Sequence, residues 1–276
     1  MIQPFSQLCC PLDSAPLTLS DKTWRCEQGH SFDVAKQGYV NLLPVQNKRS
    51  KDPGDSKAMV QARSRFLGEG FYAPLADALA ATVLAAPAGS LLDAGCGEGY
   101  YLRRVLDTAA SRGVEMSAAA LDISKWAVQA AAKRDSRVSW LVASNSSIPV
   151  PDSSIGTILC VFGFPVESEF KRVLSDSGRL IMVDPAPEHL AELKQVIYDE
   201  VKEKPSNLPV SEKWQLVSEQ RVTFSVTLPS RDVIHDLLAM TPHLYRASSA
   251  GRERAEALTS LTVTVDVWLR VFAPNV

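Results

Sequence analysis

The sequence predicts an α/β protein, a mostly parallel sheet with an antiparallel edge strand, preceded by a small cysteine-rich module. Three observations predict it. From Leu91 onward, short apolar runs of strand character alternate with helical ones, the pattern of a parallel sheet wrapped in helices. A glycine-rich turn, Gly95-Cys96-Gly97-Glu98-Gly99, joins the first of those strands to the first helix. Ahead of them, residues 1–45 hold three of the five cysteines and few signals of regular structure.

Residues 1–45 carry Pro4, Pro11, Pro16 and Pro44 among Cys9, Cys10, Cys26 and His30. So short and loop-rich a piece has little core of its own, which suits organisation by a metal. A connector, 46–89, opens with a polar loop, 46–55. Asp55 or Ser56 caps a helix running to Leu67, which Gly68 and Gly70 break. A second helix runs from Tyr72 to Ala86 and is closed by Pro87 and Gly89. The remaining residues, 90–276, hold the sheet. Strands are predicted at Ser90–Ala94, Ser117–Asp122, Val138–Val142, Thr157–Phe162 and Gly178–Val183. Helices lie between them at Tyr101–Arg112, Lys125–Arg134 and Glu167–Leu174, with Ser124 placed to cap the second. Arg221–Leu228 and Leu261–Phe272 alternate with period two around a helix at Asp232–Met240, an antiparallel pair for the sheet edge.

Composition is that of an ordinary globular chain, 46% hydrophobic and 22% charged. A net charge of −2 gives no global attraction for nucleic acid, although a local basic patch is compatible with it. Met1 to Leu8 shows no basic segment followed by an apolar run, and the most apolar stretch, Leu75–Ala88, is too short for a bilayer. An odd number of cysteines argues against a disulfide framework. The expectation is a cytoplasmic protein with no membrane partner.

The glycine turn brings backbone close to a ligand. Asp93 just before it and Glu98 within it would repel a pyrophosphate, yet suit a cationic cofactor carrying an amino acid. Asp122, ending the next strand, is placed to accept from both hydroxyls of a ribose; the plainer alternative is a cap beside Ser124. Together Asp93, Gly95, Gly97, Glu98, Gly99 and Asp122 resemble the S-adenosylmethionine site of the Rossmann-like class I methyltransferases. Ile148–Ile155 and Phe170–Ile181 are similar to that family's loop before strand four and its turn into strand five. The resemblance covers nearly all of 90–185. Two departures stand out: Gly156 replaces the usual acid opening strand four, and Ala143-Ser144-Asn145 replace the acid that touches adenine. Ser144 or Asn145 is left for the base edge.

Cys9-Cys10-Pro11-Leu12-Asp13 and Cys26-Glu27-Gln28-Gly29-His30 are two short clusters separated by a predicted β-hairpin. Paired turns of this kind gather four zinc ligands, usually as Cys-x-x-Cys followed by Cys-x3-His. Cys26 and His30 match the second half. Asp13 stands where a cysteine is expected, so the set is Cys10, Asp13, Cys26 and His30, with Cys9 as the alternative fourth ligand. A metal-free module with buried thiols is the competing reading.

These pieces resemble a narrower group, the 23S ribosomal RNA guanine-N1-methyltransferases of the RlmA type. The resemblance is carried by the Cys/His module, Phe32–Val45, Lys48–Ser56, Gln61-Ala62-Arg63, Phe66-Leu67, Gly95–Tyr101, His189-Leu190, Glu192–Lys194 and Met240-Thr241-Pro242. It implies a zinc-ribbon-like domain on a class I methyltransferase domain, assembled as a homodimer. It also implies S-adenosyl-L-methionine and zinc as cofactors, and a hairpin of 23S ribosomal RNA as partner. Carried over by position, cofactor contacts fall on Tyr72, Gly97, Glu98 and His189. Phe164-Pro165 stands in place of a usual Pro-Cys, so the substrate-facing rim differs.

Lys48, Arg49 and Lys51 read on their own as a solvated loop; beside an RNA substrate they become phosphate contacts. Phe32, Tyr39 and Phe71 are stacking surfaces or core aromatics. Methyl transfer demands in-line positioning, an unpaired or flipped base, and loss of the guanine N1 proton. No residue in the sequence identifies itself as the base for that proton. Two other classes compete. A small-molecule methyltransferase leaves the N-terminal module unexplained, and a non-catalytic RNA-binding or assembly protein leaves the intact turn and Asp122 unexplained.

Overall fold

The computed structural model describes residues 1–47, 50–86, 89–201 and 210–275. In chain order its elements are β1 (Ile2–Pro4), β2 (Thr18–Ser20), β3 (Thr23–Arg25), β4 (Ser31–Asp33), β5 (Tyr39–Asn41), α1 (Lys57–Gly68) and α2 (Ala73–Ala85). Then come β6 (Ser90–Ala94), α3 (Tyr100–Ser111), β7 (Met116–Asp122), α4 (Lys125–Ala132), β8 (Val138–Val142), β9 (Ile155–Val161), α5 (Glu167–Val173) and β10 (Leu174–Pro185). The chain closes with α6 (Ala191–Ile197), β11 (Trp214–Leu228), α7 (Arg231–Ala239), α8 (His243–Arg246), α9 (Ser249–Glu256) and β12 (Leu261–Pro274).

Strands buried on both faces need apolar residues without a break. Leu91 of β6 enters one core cluster while Leu92 and Ala94 enter the other. In β7, Ala118 to Leu121 are all buried. The main sheet runs β11-β12-β10-β9-β6-β7-β8-β5, with β1 added on β7. Strands β6 to β10 are mutually parallel, and β12 is antiparallel to both its neighbours. The chain leaves β6 toward β7 and β8, then returns to place β9 on the other side. That reversal opens a crevice at the carboxyl ends of β6 and β9, where ligands bind in open α/β sheets.

The N-terminal residues are sewn into this sheet. Strand β1 pairs parallel with β7, from Ile2 opposite Met116 to Pro4 opposite Ala118. Strand β5 pairs parallel with β8, from Tyr39 opposite Trp140 to Asn41 opposite Val142. Between them, β2, β3 and β4 form a separate antiparallel sheet. Phe5, Leu8, Leu17 and Trp24 share a core cluster with Leu141, Ile155 and Phe170.

The helix starts are set by side-chain caps. Ser56 Oγ accepts from Met59 N–H at 3.3 Å, which decides between Asp55 and Ser56 for α1. Ser124 Oγ accepts from Ala127 N–H at 3.3 Å, and Ser230 Oγ accepts from Val233 N–H at 3.4 Å. Strands β6 and β8 have the predicted limits. Strand β10 begins earlier than expected, at Leu174, and its register against β9 shifts between Leu174 and Arg179. Helices α8 and α9 are additions to the sequence reading, and Pro87 lies outside the described residues. Among the described residues no helix is long and apolar enough to cross a membrane.

Candidate cofactor pocket and metal centre

Gly97 adopts φ 54° and Gly99 φ 80°, conformations that side chains rarely tolerate. The two serve different ends. Gly97 N–H donates to Asp122 Oδ2 at 2.9 Å, docking the turn on the end of β7. Gly99 opens α3, and a Cβ there would lie 2.6 Å from the Trp140 ring and 3.2 Å from Ala131. The third glycine therefore lets α3 pack closely. Asp122 Oδ1 also accepts from Ser124 N–H at 2.8 Å, so the capping role is real and leaves further lone pairs for a ligand. Burial raises its pKa while the two backbone donors pull it down.

Asp93 is 2% exposed, and burial pushes its carboxyl up to about 7, with repulsion from Asp122 adding to the rise. Glu98 is buried too. Its Oε2 accepts from Arg103 at 3.2 Å and Ser64 Oγ at 3.4 Å, and is bridged by Arg134. Its Oε1 is buried without a partner, as are the Tyr101 hydroxyl and Arg63 Nε.

These groups meet in one cavity at the crevice. Asp93, Gly95, Gly97 and Glu98 line one side, and Val161 and Phe162 at the end of β9 line the other. Tyr72, Gly99, Asp122 and His189 stand outside the lining. Tyr72 packs edge-on against Phe66 at 5.4 Å and Phe224 at 6.3 Å, behind the pocket. His189 stacks on Phe162 with centroids 5.7 Å apart, and its Nδ1 accepts from Asp266 N–H at 3.3 Å. Burial lowers its pKa to about 4, so the ring is neutral at physiological pH. Phe162 itself holds φ 53°, a strained conformation for a residue with a side chain.

Arg63, Tyr101, Phe162 and Met240 line the cavity but were not sequence-predicted site residues. Arg63, Tyr101 and Met240 are singled out in the sequence only by the family resemblance. The one local signal for Phe162 is its place directly after strand four at the switch point. At the proposed adenine edge, Ser144 Oγ pairs with Ser146 Oγ at 2.8 Å, whereas Asn145 keeps a buried, unpartnered Oδ1. Asn145 Nδ2 donates to Phe164 O at 3.2 Å, and the Phe164 side chain is 87% exposed. A cofactor with a cationic amino-acid arm fits this cavity, because it holds unmet donors beside an unmet acceptor and flanking carboxylates.

In the N-terminal residues, ligand atoms of Cys10, Asp13, Cys26 and His30 all lie within 4.8 Å of one another. His30 Nδ1 is 3.5 Å from Cys10 Sγ, 3.4 Å from Cys26 Sγ and 2.9 Å from Asp13 Oδ2. Cys26 Sγ is 3.3 Å from Asp13 Oδ2. Metal bonds of about 2.0–2.3 Å place tetrahedral ligands roughly 3.3–3.8 Å apart, so the spacing suits zinc with little movement. Two turns present the ligands. Ser14 N–H donates to Cys10 O at 2.9 Å, and Gly29 N–H donates to Cys26 O at 3.1 Å. Burial pushes the Cys10 thiol up to about 11, so metal uptake is coupled to proton release. Cys9 lies elsewhere: its N–H donates to Pro149 O at 2.9 Å, and its thiol senses Arg172 and Asp152.

Of the basic loop, Lys48 and Arg49 lie outside the described residues, and Lys51 is exposed. The loop ends at the start of α4, since Ser124 Oγ donates to Asp55 O at 2.6 Å. Tyr39 is buried and Phe32 and Phe71 are partly buried, so all three pack as core aromatics.

Two family models match the chain. Residues 8–51 match the zinc ribbon described as "RlmA, N-terminal", and residues 91–181 match "Methyltransferase domain". The chain is similar to the 23S rRNA (guanine(748)-N(1))-methyltransferase of Streptomyces fradiae, 36% identical over 97% of this chain and 96% of the relative. It is also similar to the Bacillus subtilis (strain 168) protein named "Putative 23S rRNA (guanine-N(1)-)-methyltransferase YxjB", 33% identical over 95% of each chain. Among solved structures, the YcgJ protein from Bacillus subtilis superposes with a TM-score of 0.44 at 17% identity, covering 72% of this chain and 98% of that one.

Proposed function

The chain belongs to the 23S rRNA (guanine-N1)-methyltransferase family, a class I methyltransferase fold with an N-terminal zinc ribbon, and we propose that it methylates N1 of a guanine in 23S ribosomal RNA from S-adenosylmethionine. The full-length relationship carries this reading, because the match to that relative spans 97% of this chain, ribbon and methyltransferase domain together. A small-molecule enzyme gives the ribbon no purpose. A non-catalytic assembly protein gives the unmet polar atoms of the cavity none.

When bound, S-adenosylmethionine supplies an activated sulfonium methyl, so the protein's task is positioning. We assign Gly95 and Gly97 to close backbone approach, Asp122 to the ribose, and Asp93 and Glu98 to the cationic arm. Gly99 holds the turn by seating α3 on Trp140, Tyr72 backs the pocket, and His189 braces Phe162. Cys10, Asp13, Cys26 and His30 hold the zinc, which fixes the ribbon. Lys48, Arg49 and Lys51 are assigned to the phosphates of an RNA hairpin, from a loop that ends beside Asp122. The proposed division of labour is 1–45 for the ribbon, 46–89 for the connector and 90–276 for transfer. The proposed working form is a cytoplasmic homodimer; exposed Leu216 and Val217 on the edge strand β11 supply apolar surface for pairing.

Primer extension tests the reading, because a methyl on guanine N1 blocks the Watson–Crick edge and stops reverse transcriptase. Incubation of purified protein with S-adenosylmethionine and unmethylated 23S RNA is expected to create a new stop at a guanine. Labelled methyl appearing in a metabolite extract, with none in the RNA, overturns it.

A further inference from the structure

We propose that Arg63 and Tyr101 bind the carboxylate of the cofactor's amino-acid arm while Glu98 takes its ammonium, so that helix α1 of the connector completes the cofactor site. The proposal rests on reading the cavity as the S-adenosylmethionine site. Its basis is a set of three polar atoms in that one cavity, each buried and without a partner: Arg63 Nε, the Tyr101 hydroxyl and Glu98 Oε1. Buried polar groups are rarely left this way unless a ligand or water completes them. Two are donors and one is an acceptor, the complement of an α-amino acid zwitterion.

Each side chain is held so that the open atom stays available. Arg63 is anchored through Nη2, which donates to Asp55 Oδ2 at 2.6 Å and to Met240 O at 3.3 Å. Its Nη1 reaches over the glycine turn, where a Cβ on Gly97 would lie 3.7 Å away. A guanidinium suspended above a glycine turn flanked by Asp93, Glu98 and Asp122 is the one cation among the described residues that line the cavity. Tyr101 is wedged between Tyr100 at 5.1 Å and Phe162 at 6.4 Å, and burial raises its pKa, so the phenol remains a donor. Glu98 has Oε2 fixed by Arg103 and Arg134, which leaves Oε1 to accept.

Calorimetry on the full chain separates this from the broader reading. The probes are S-adenosylmethionine and decarboxylated S-adenosylmethionine, which keeps the sulfonium, ribose, adenine and amine. Charge-assisted hydrogen bonds predict that the intact protein binds the carboxylate-bearing form about 30-fold more tightly. Arg63→Leu is expected to erase that preference, leaving the decarboxylated form bound within about 3-fold of its original affinity. Tyr101→Phe is expected to cost about 5-fold on S-adenosylmethionine alone. If the unmodified protein binds both probes alike, the assignment falls while the S-adenosylmethionine site stands, and this arm needs no variant to fold. Equal weakening of both probes by Arg63→Leu makes Arg63 a packing residue and also overturns it. Binding of neither probe by the unmodified protein brings down the cofactor reading itself.

Discussion

Asp93 shows how one buried atom sets opposite pH dependences for stability and for binding. Its carboxyl titrates at about 7 in the fold because burial disfavours the charge, against about 3.9 for an unfolded carboxyl. Between those values the folded chain holds the extra proton, so raising the pH through the interval removes stability. Asp93→Asn escapes that loss. In thermal melts of the ligand-free protein the variant is expected to gain on the original chain between about pH 4 and pH 7; a difference that stays constant contradicts a neutral buried Asp93. Binding runs the other way. The ionised carboxylate attracts a cationic arm, so affinity for S-adenosylmethionine should rise through about pH 7 and stay flat in Asp93→Asn. Asp93 and Glu98 were legible in the sequence because acids beside a glycine turn are chemically out of place for a phosphate site. Arg63 and Tyr101 were not, since local sequence does not say which polar atoms a fold leaves without partners.

At the scale of elements, the signal read from the sequence was burial on two faces. It placed β6 and β8 within their observed limits because each sends apolar residues to both faces, Leu91 and Leu92 in β6 and Trp140 and Leu141 in β8. Helix α9 escaped it: Ser249–Glu256 is polar and buries only Ala255 and Gly251, and a Cβ on Gly251 would collide with the Ile197 carbonyl of α6. Close approach of backbones explains that glycine, and no periodicity announces it. The same logic makes α3 testable. Gly99→Ala combines a φ of 80° with a Cβ 2.6 Å from Trp140, and is expected to cost about 2–4 kcal/mol in urea unfolding. A loss below about 0.5 kcal/mol, the size of an ordinary surface change, would show that α3 can shift freely. In the ribbon, Asp13 was placed by sequence alone and Cys9 was kept as its rival; the geometry gathers Asp13 and sends Cys9 toward Arg172. Competition with a chromogenic chelator should rank zinc retention Asp13→Cys above the original chain and Asp13→Ala below it. Equal retention by Asp13→Ala removes Asp13 from the ligand set.

The whole molecule departs most from its sequence at the junction of ribbon and sheet. Composition breaks near residue 45, which invites a picture of a separate module on a linker. Three-residue strands such as β1 and β5 carry too little pattern to reveal long-range pairing, and only the fold shows them completing β7 and β8. The consequence concerns cooperativity. Removing residues 1–45 strips the Met116–Ala118 edge of β7 and the Trp140–Val142 edge of β8 of their hydrogen-bond partners. It also uncovers the apolar surface now beneath Phe5, Leu8, Leu17 and Trp24. Unpaired edges and exposed apolar patches promote association. The fragment 46–276 is therefore expected to self-associate in size-exclusion chromatography and to melt below the full chain. Because the zinc ligands sit between β1 and β5, stripping the metal should lower the midpoint of the entire chain rather than melt a ribbon alone. Circular dichroism and tryptophan fluorescence should then report one coincident transition. A monomeric 46–276 with the full chain's midpoint, or a separate early transition on chelation, would mean that the ribbon is an appendage and that these strand pairings contribute little.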